Sequence, residues 1–283
     1  MNLFYPHAGV NMSRILILLF CALSLQIVTS SSLFAQDARG IVISPQRVTF
    51  EKGQRIVEVL IANRGSNKEK YRISLVNRAM QENGQLKPTD SPAENEYFAS
   101  EILRYSPRQI TLEPKETQKI RIMSRIKSNS PDGEYRSHLL VQEIPKAKEA
   151  ENAGGNNGEI GINVQAVFGI TVPIILRKGD LSAEVKLSTP KIVKVGNTTF
   201  LEIAVNRSGT KSIVGTLNVF TDSKKIGILK NVAVYLSTPR RIISVKLDPK
   251  SAENLSGKNI RVTYGAKGTN EDEPKAALTF TAP

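Results

Sequence analysis

The stretch from Ile160 to Leu176, IGINVQAVFGITVPIIL, decides how the rest of the chain is read. Ile160, Ile162, Val164, Ala166, Phe168, Ile170, Val172, Ile174 and Leu176 share one parity, while Gly161, Asn163, Gln165, Gly169 and Thr171 fill most of the other. Side chains alternate across a strand with period two, so the whole apolar row projects from one face. At about 3.3 Å per residue such a strand spans roughly 55 Å, far beyond the usual five or six residues. One small sheet cannot cover that row. Two readings stay open here: a long sandwich strand covered by its own domain, or a strand whose first half is left for a partner. The segment before it, Lys146 to Glu159, is KAKEAENAGGNNGE, charged, rich in Gly and Asn, and without an apolar residue larger than alanine. It has nothing to bury and is expected to be loose. A loose loop feeding an alternating strand is how a surface for β-augmentation looks in sequence.

The chain has 283 residues with 40% hydrophobic content, enough for two ordinary domains with cores. Fourteen prolines, nineteen glycines and many short alternating runs point to an all-β protein. The N-terminus is expected to be a targeting segment over residues 1–35, starting at Met12. Arg14 supplies the basic flank, Ile15 to Val28 the apolar core, and small residues lead to cleavage after Ala35. That core is shorter than the roughly twenty residues of a spanning helix, so export with cleavage is expected and no membrane insertion of the mature chain. Cys21 leaves with the peptide, and the mature chain then has no thiol chemistry.

After cleavage 38 basic side chains face 26 acidic ones. Such a surplus can serve nucleic acid or an anionic membrane surface. Here the cations are scattered, tryptophan is absent, and no aromatic pair is spaced as a base-stacking platform. A solvated basic surface that attracts acidic protein partners is the expectation, with no nucleic acid.

Outward from the central stretch the pattern is a series of short strands. Gly40–Phe50 is an edge strand that changes course at Pro45. Arg55–Asn63 and Tyr71–Val76 follow, then a polar surface loop over Gln81–Asn95. Ile102–Leu112 carries Pro107 at its centre and is expected to bend or switch sheets. Thr117–Met123 and Glu134–Ile144 lead to the long strand, giving seven strands and an immunoglobulin-like sandwich that ends near Leu176. Arg177-Lys178-Gly179-Asp180 is a short linker, and the strand pattern restarts at Leu181. LIANRG at 60–65 is echoed by IAVNRSG at 203–209, which implies the same strand-turn-strand unit in both halves.

Catalytic signatures are absent. His7 and His138 are the only histidines, and no nucleophile-elbow sequence accompanies them. His138 reads as an ordinary surface or rim residue of a strand, and Asp132 and Glu134 as solvated carboxylates beside a turn. No metal-ligand spacing, P-loop or dinucleotide fingerprint occurs, so no cofactor is implied and an enzyme is not expected.

Taken in order, ISPQRVTFEKGQRIVEVLIANRG, YRISLVNRAM, ILRYSPRQITLEPKETQKIRI, PDGEYRSHLLVQEIP and the alternating strand ending VPIILRKG resemble the first domain of periplasmic pilus-assembly chaperones of the chaperone-usher pathway. The resemblance implies two immunoglobulin-like β-sandwiches joined by a short linker in a boomerang arrangement. The expected boundaries are 36–178 for the first and 179–283 for the second. It implies a periplasmic protein that lends its last first-domain strand to pilin-like subunits lacking one. The lent residues would be Val164, Ala166 and Phe168, with Ile162 and Ile160 for further pockets. An outer-membrane usher is the implied second partner, and a self-dimer is open for the free chain. In the family two basic residues hold the subunit's C-terminal carboxylate. Arg47 falls on the first; the second falls on Pro173, which offers neither charge nor N–H, so that the subunit would be gripped mainly through Arg47 or with a neighbouring cation such as Arg121 or Arg177. Arg177 matches an arginine tied to the interdomain joint. The alternative of a different class is a structural or adhesive protein of tandem sandwiches.

Overall fold

The computed structural model describes residues 40–145, 166–266 and 275–283. Two prolines shape the first half by sending single strands into two sheets. β1 (Ile41–Ser44) precedes Pro45 and pairs with β3 (Ile56–Asn63); β2 (Val48–Thr49) follows it and lies parallel to a strand of the opposite sheet. The same happens at Pro107. β8 (Leu103–Ser106) joins β10 (Thr117–Ser124), whereas β9 (Gln109–Leu112) joins β4 (Glu69–Val76) across the sandwich. A residue that cannot donate to a ladder is tolerated where a strand leaves one sheet for another.

The first sandwich therefore stacks a sheet of order β1-β3-β10-β8 on one of order β2-β12-β11-β4-β9, where β11 is Gly133–Glu143 and β12 is Gly169–Lys178. The short β7 (Glu96–Phe98) adds to β11 in parallel. Alternation decides what lies between the sheets: Val59 and Ile61, Ile120 and Ile122, Leu139 and Val141, and Val172, Ile174 and Leu176 all point inward. Burial of these branched side chains at about 1.5–3 kcal/mol each is what makes the sandwich stable.

Gln81–Asn95 is not only a surface loop. β5 (Arg78–Met80) and β6 (Leu86–Pro88) form a two-stranded hairpin, and Met80 is buried with Ile175, Ala233 and Tyr235. The run looks polar because its burial is against the second sandwich rather than within the first. Gly84, at φ +81°, lets the turn come close to Arg241, whose side chain fills the space a Cβ would take.

The second sandwich stacks β13 (Ala183–Val195), β14 (Thr198–Gly209) and β17 (Arg240–Lys246) on a sheet of order β16-β15-β18-β19, these being Lys224–Val234, Ile213–Thr221, Asn259–Ala266 and Ala276–Thr281. β13 runs as one strand across Pro190. A register shift between Ser188 and Lys191, with Thr189 at φ +49°, lets the chain pass Pro190 without leaving the sheet. The echoed segments both carry the chain from one sheet to the other. Their asparagines differ: Asn63 is buried and its side-chain amide donates to the Leu112 and Asn67 carbonyls, while Asn206 ties the bulge of β13 through Lys186 and Ser188.

Candidate functional site

Strand β12 changes environment along its length. From Val172 to Leu176 every side chain is buried, with Val172, Ile174 and Leu176 in the first core and Ile175 facing Met80, Ala233 and Tyr235 on the other side. Further back the same parity comes out into solvent. Ile170 is 39% exposed, Phe168 53% exposed, and Ala166 is exposed as well. The regular ladder begins only at Gly169, so Ala166 and Phe168 precede the strand rather than lying within it, although the Phe168 carbonyl still accepts from the Glu143 N–H at 2.9 Å. On its other edge β12 meets β2 at Ile174 and Ile175 alone, so among the described residues no strand pairs with that edge between Gly169 and Thr171. Ile160, Ile162 and Val164 lie outside the described residues.

Arg47 sits between the Pro45 bend and β2, half-buried, where the two sandwiches meet. Its Nη1 donates to the Tyr235 hydroxyl at 3.1 Å. Arg177, at the end of β12, donates from Nε to Glu134 at 3.0 Å and from Nη2 to the Ser212 carbonyl at 2.9 Å. Glu134 corrects the sequence reading: Asp132 is exposed, but Glu134 is fully buried. It accepts from the Ser212 N–H at 3.0 Å and from the Ser212 hydroxyl, so one carboxylate joins both sandwiches. No local pattern marks it, because its partner is 78 positions away. Arg121 belongs to the opposite sheet and pairs with Glu58 at 3.6 Å.

Loss of a partner from a buried pair costs about 3–5 kcal/mol when the survivor stays dry. The Arg177 side chain is 32% exposed, so water takes over part of the lost pairing. Glu134→Gln is therefore expected to cost about 2 kcal/mol, read as a lower denaturation midpoint at unchanged m-value. An unchanged midpoint would remove Glu134 from the joint.

His138 is the second correction. It is fully buried on β11, directly opposite Pro173, with its ring edge-on to Tyr235 at 6.1 Å between centroids. Among the described residues neither ring nitrogen has a hydrogen-bond partner. Burial first, then the guanidinium groups of Arg136, Arg78 and Arg47, push its pKa down to about 3. Arg136 is held by a buried ion pair with Glu96 at 2.6 Å, which sequence reasoning missed. A histidine that stays neutral with no bonded neighbour is not arranged as a general base. Among the described residues no cluster of His, Cys, Asp or Glu is suited to a metal ion, and no helix is long and apolar enough to cross a membrane. The assembled groups offer apolar side chains, strand-edge hydrogen bonds and a guanidinium. These are groups suited to binding an extended segment.

Residues 40–177 match the family model described as pili and flagellar-assembly chaperone, PapD N-terminal domain. The first sandwich belongs to this chaperone family. The family's fold is that of non-enzymatic chaperones. No curated protein matches the chain in sequence. Among solved structures, the YadV chaperone is 16% identical, with 85% of this chain and 99% of that one covered and a TM-score of 0.45. The CupB2 chaperone of Pseudomonas aeruginosa is 12% identical, with 86% and 100% covered and a TM-score of 0.42. The CsuC–CsuE chaperone–tip adhesion subunit complex of Acinetobacter baumannii gives 11% identity, 86% and 99% coverage and a TM-score of 0.44.

Proposed function

We propose that this chain is an exported periplasmic chaperone that stabilises pilus or fimbrial subunits by donor-strand complementation and delivers them for assembly. The observation that carries the reading is the passage of one apolar row from a buried half, Val172 to Leu176, to an exposed one, Ala166 to Ile170, beside an edge of β12 with which, among the described residues, no strand pairs between Gly169 and Thr171. An unfinished sandwich exposes a groove with unsatisfied backbone groups; a lent strand fills the groove and satisfies the ladder together. In this reading residues 1–35 are the cleaved export signal, 36–178 the subunit-binding domain and 179–283 its companion. Ala166 and Phe168 enter the groove, with Val164, Ile162 and Ile160 ahead of them. An outer-membrane usher receives the complex, there is no catalytic turnover, and the free chain can cover its row by self-association.

Arg47 is the anchor for the subunit's C-terminal carboxylate in this reading. It is half-buried at the joint and makes no ion pair among the described residues. A guanidinium grips a carboxylate through two parallel N–H bonds, which an ammonium cannot reproduce. Co-expression with a pilin-like subunit that lacks its last strand is expected to yield a soluble one-to-one complex. Arg47→Ala is expected to weaken that complex by about 10- to 100-fold, the worth of a charge-assisted pair. Recovery of the subunit alone, insoluble with or without the chaperone, would overturn the function; full affinity in Arg47→Ala would overturn the anchor.

A further inference from the structure

Position 173 is where the resemblance calls for a second cation, and a buried proline stands there. What the structure sets beside Arg47 instead comes from the second sandwich. Tyr235 follows β16 and is 3% exposed, packed against Met80, Ile175 and Ala233. The Arg136 guanidinium lies 4.3 Å from its ring centroid and that of Arg47 5.5 Å, so two cations lie against the ring. Its hydroxyl accepts from Arg47 Nη1 at 3.1 Å.

A phenol that accepts through a lone pair still has its own proton to give, and accepting from a cation makes it a stronger donor. Arg47 spends one N–H on that contact and keeps the others. Two donors thus stand side by side, one of them cationic, with no carboxylate on either among the described residues. Arg136 is not available for this role, because Glu96 neutralises it. Arg78 and Arg241, which also make no ion pair among the described residues, add to the positive field at the joint.

We propose that the Tyr235 hydroxyl is the second donor for the subunit's terminal carboxylate, replacing the cation missing at position 173. Arg47 holds one carboxylate oxygen through its remaining N–H groups, and Tyr235 donates its O–H to the other. Because Tyr235 belongs to the second sandwich, the site is complete only when both sandwiches are in place. This proposal rests on Arg47 being the carboxylate anchor.

The test is a binding titration of the whole mature chain with an N-terminally labelled peptide of alternating valine and threonine ending in phenylalanine, as the free acid and as the C-terminal amide. The parent is expected to prefer the acid. Tyr235→Phe keeps the ring against the two guanidinium groups and is expected to cut the acid-over-amide preference by about tenfold, because the hydroxyl is worth more to a charged carboxylate than to the neutral carbonyl of the amide. A preference that disappears in Arg47→Ala yet survives in Tyr235→Phe would overturn the role of Tyr235 alone. No preference for the acid in the parent would overturn the anchor and this proposal with it.

Discussion

A chain in which Phe168 is replaced by aspartate is expected to fold as the parent does and to lose the ability to keep a strand-deficient subunit soluble. Phe168 is 53% exposed, so its substitution is a surface change for the chaperone's own fold, within roughly 0.5 kcal/mol. In a subunit groove the same position would bury a ring, worth about 1.5–3 kcal/mol. An aspartate there forfeits that burial and adds the desolvation of a charge with no partner, which costs several kcal/mol more. The two together exceed about 4 kcal/mol, or roughly a thousandfold in affinity. Soluble subunit yield on co-expression reads the function and thermal melting reads the fold. Ala166→Asp should behave alike, whereas Val172→Asp, whose parent side chain lies in the core, should unfold the first sandwich. Undiminished rescue by Phe168→Asp would sink the donor reading. A collapse of its melting temperature would place Phe168 in the protein's own core.

Much of the fold was legible because its signals are local. Period-two alternation places Val59, Ile61, Ile120 and Ile122 inward, and Pro45 and Pro107 mark where strands change sheets. What escaped depends on contacts made at a distance. Glu134 looked solvated because its turn is polar; Ser212, far along the chain, buries it. His138 looked like a rim residue because one strand cannot announce that Tyr235 of the other sandwich will close over it. Leu86–Pro88, the second strand of the hairpin, fell within the stretch that looked like loop for the same reason. Strand β12 shows both sides of this. Its parity was plain, but parity does not tell that the row is buried from Val172 onward and exposed before it, because that depends on which other elements pack over it.

The same joint should make the protein acid-sensitive through His138. An unfolded histidine titrates near 6.5, while His138 in the folded chain is held down to about 3. Between those values the unfolded chain carries a proton that the folded chain does not. Stability is therefore complete above about pH 6.5 and falls as pH drops through the window, by about 1.4 kcal/mol per unit, levelling off below about 3. Over the full window the loss is on the order of 4–5 kcal/mol, a large share of a domain's stability. The groups facing His138 are the guanidiniums of Arg136 on its own strand, Arg78 of the hairpin and Arg47 before β2, with Glu96 already committed to Arg136. His138→Leu removes the titrating ring and leaves every other acid-sensitive group in place. Its stability is expected to fall less steeply between pH 6 and 4, with the difference in slope near 1.4 kcal/mol per unit by denaturant unfolding. Equal slopes would mean that the buried ring takes up its proton without cost. A carboxylate seated on Arg47 screens one of the three cations that repel that proton and so raises the folded-state pKa of His138; in the subunit-bound chaperone the loss through His138 is expected to be smaller and to level off at a higher pH than in the free one.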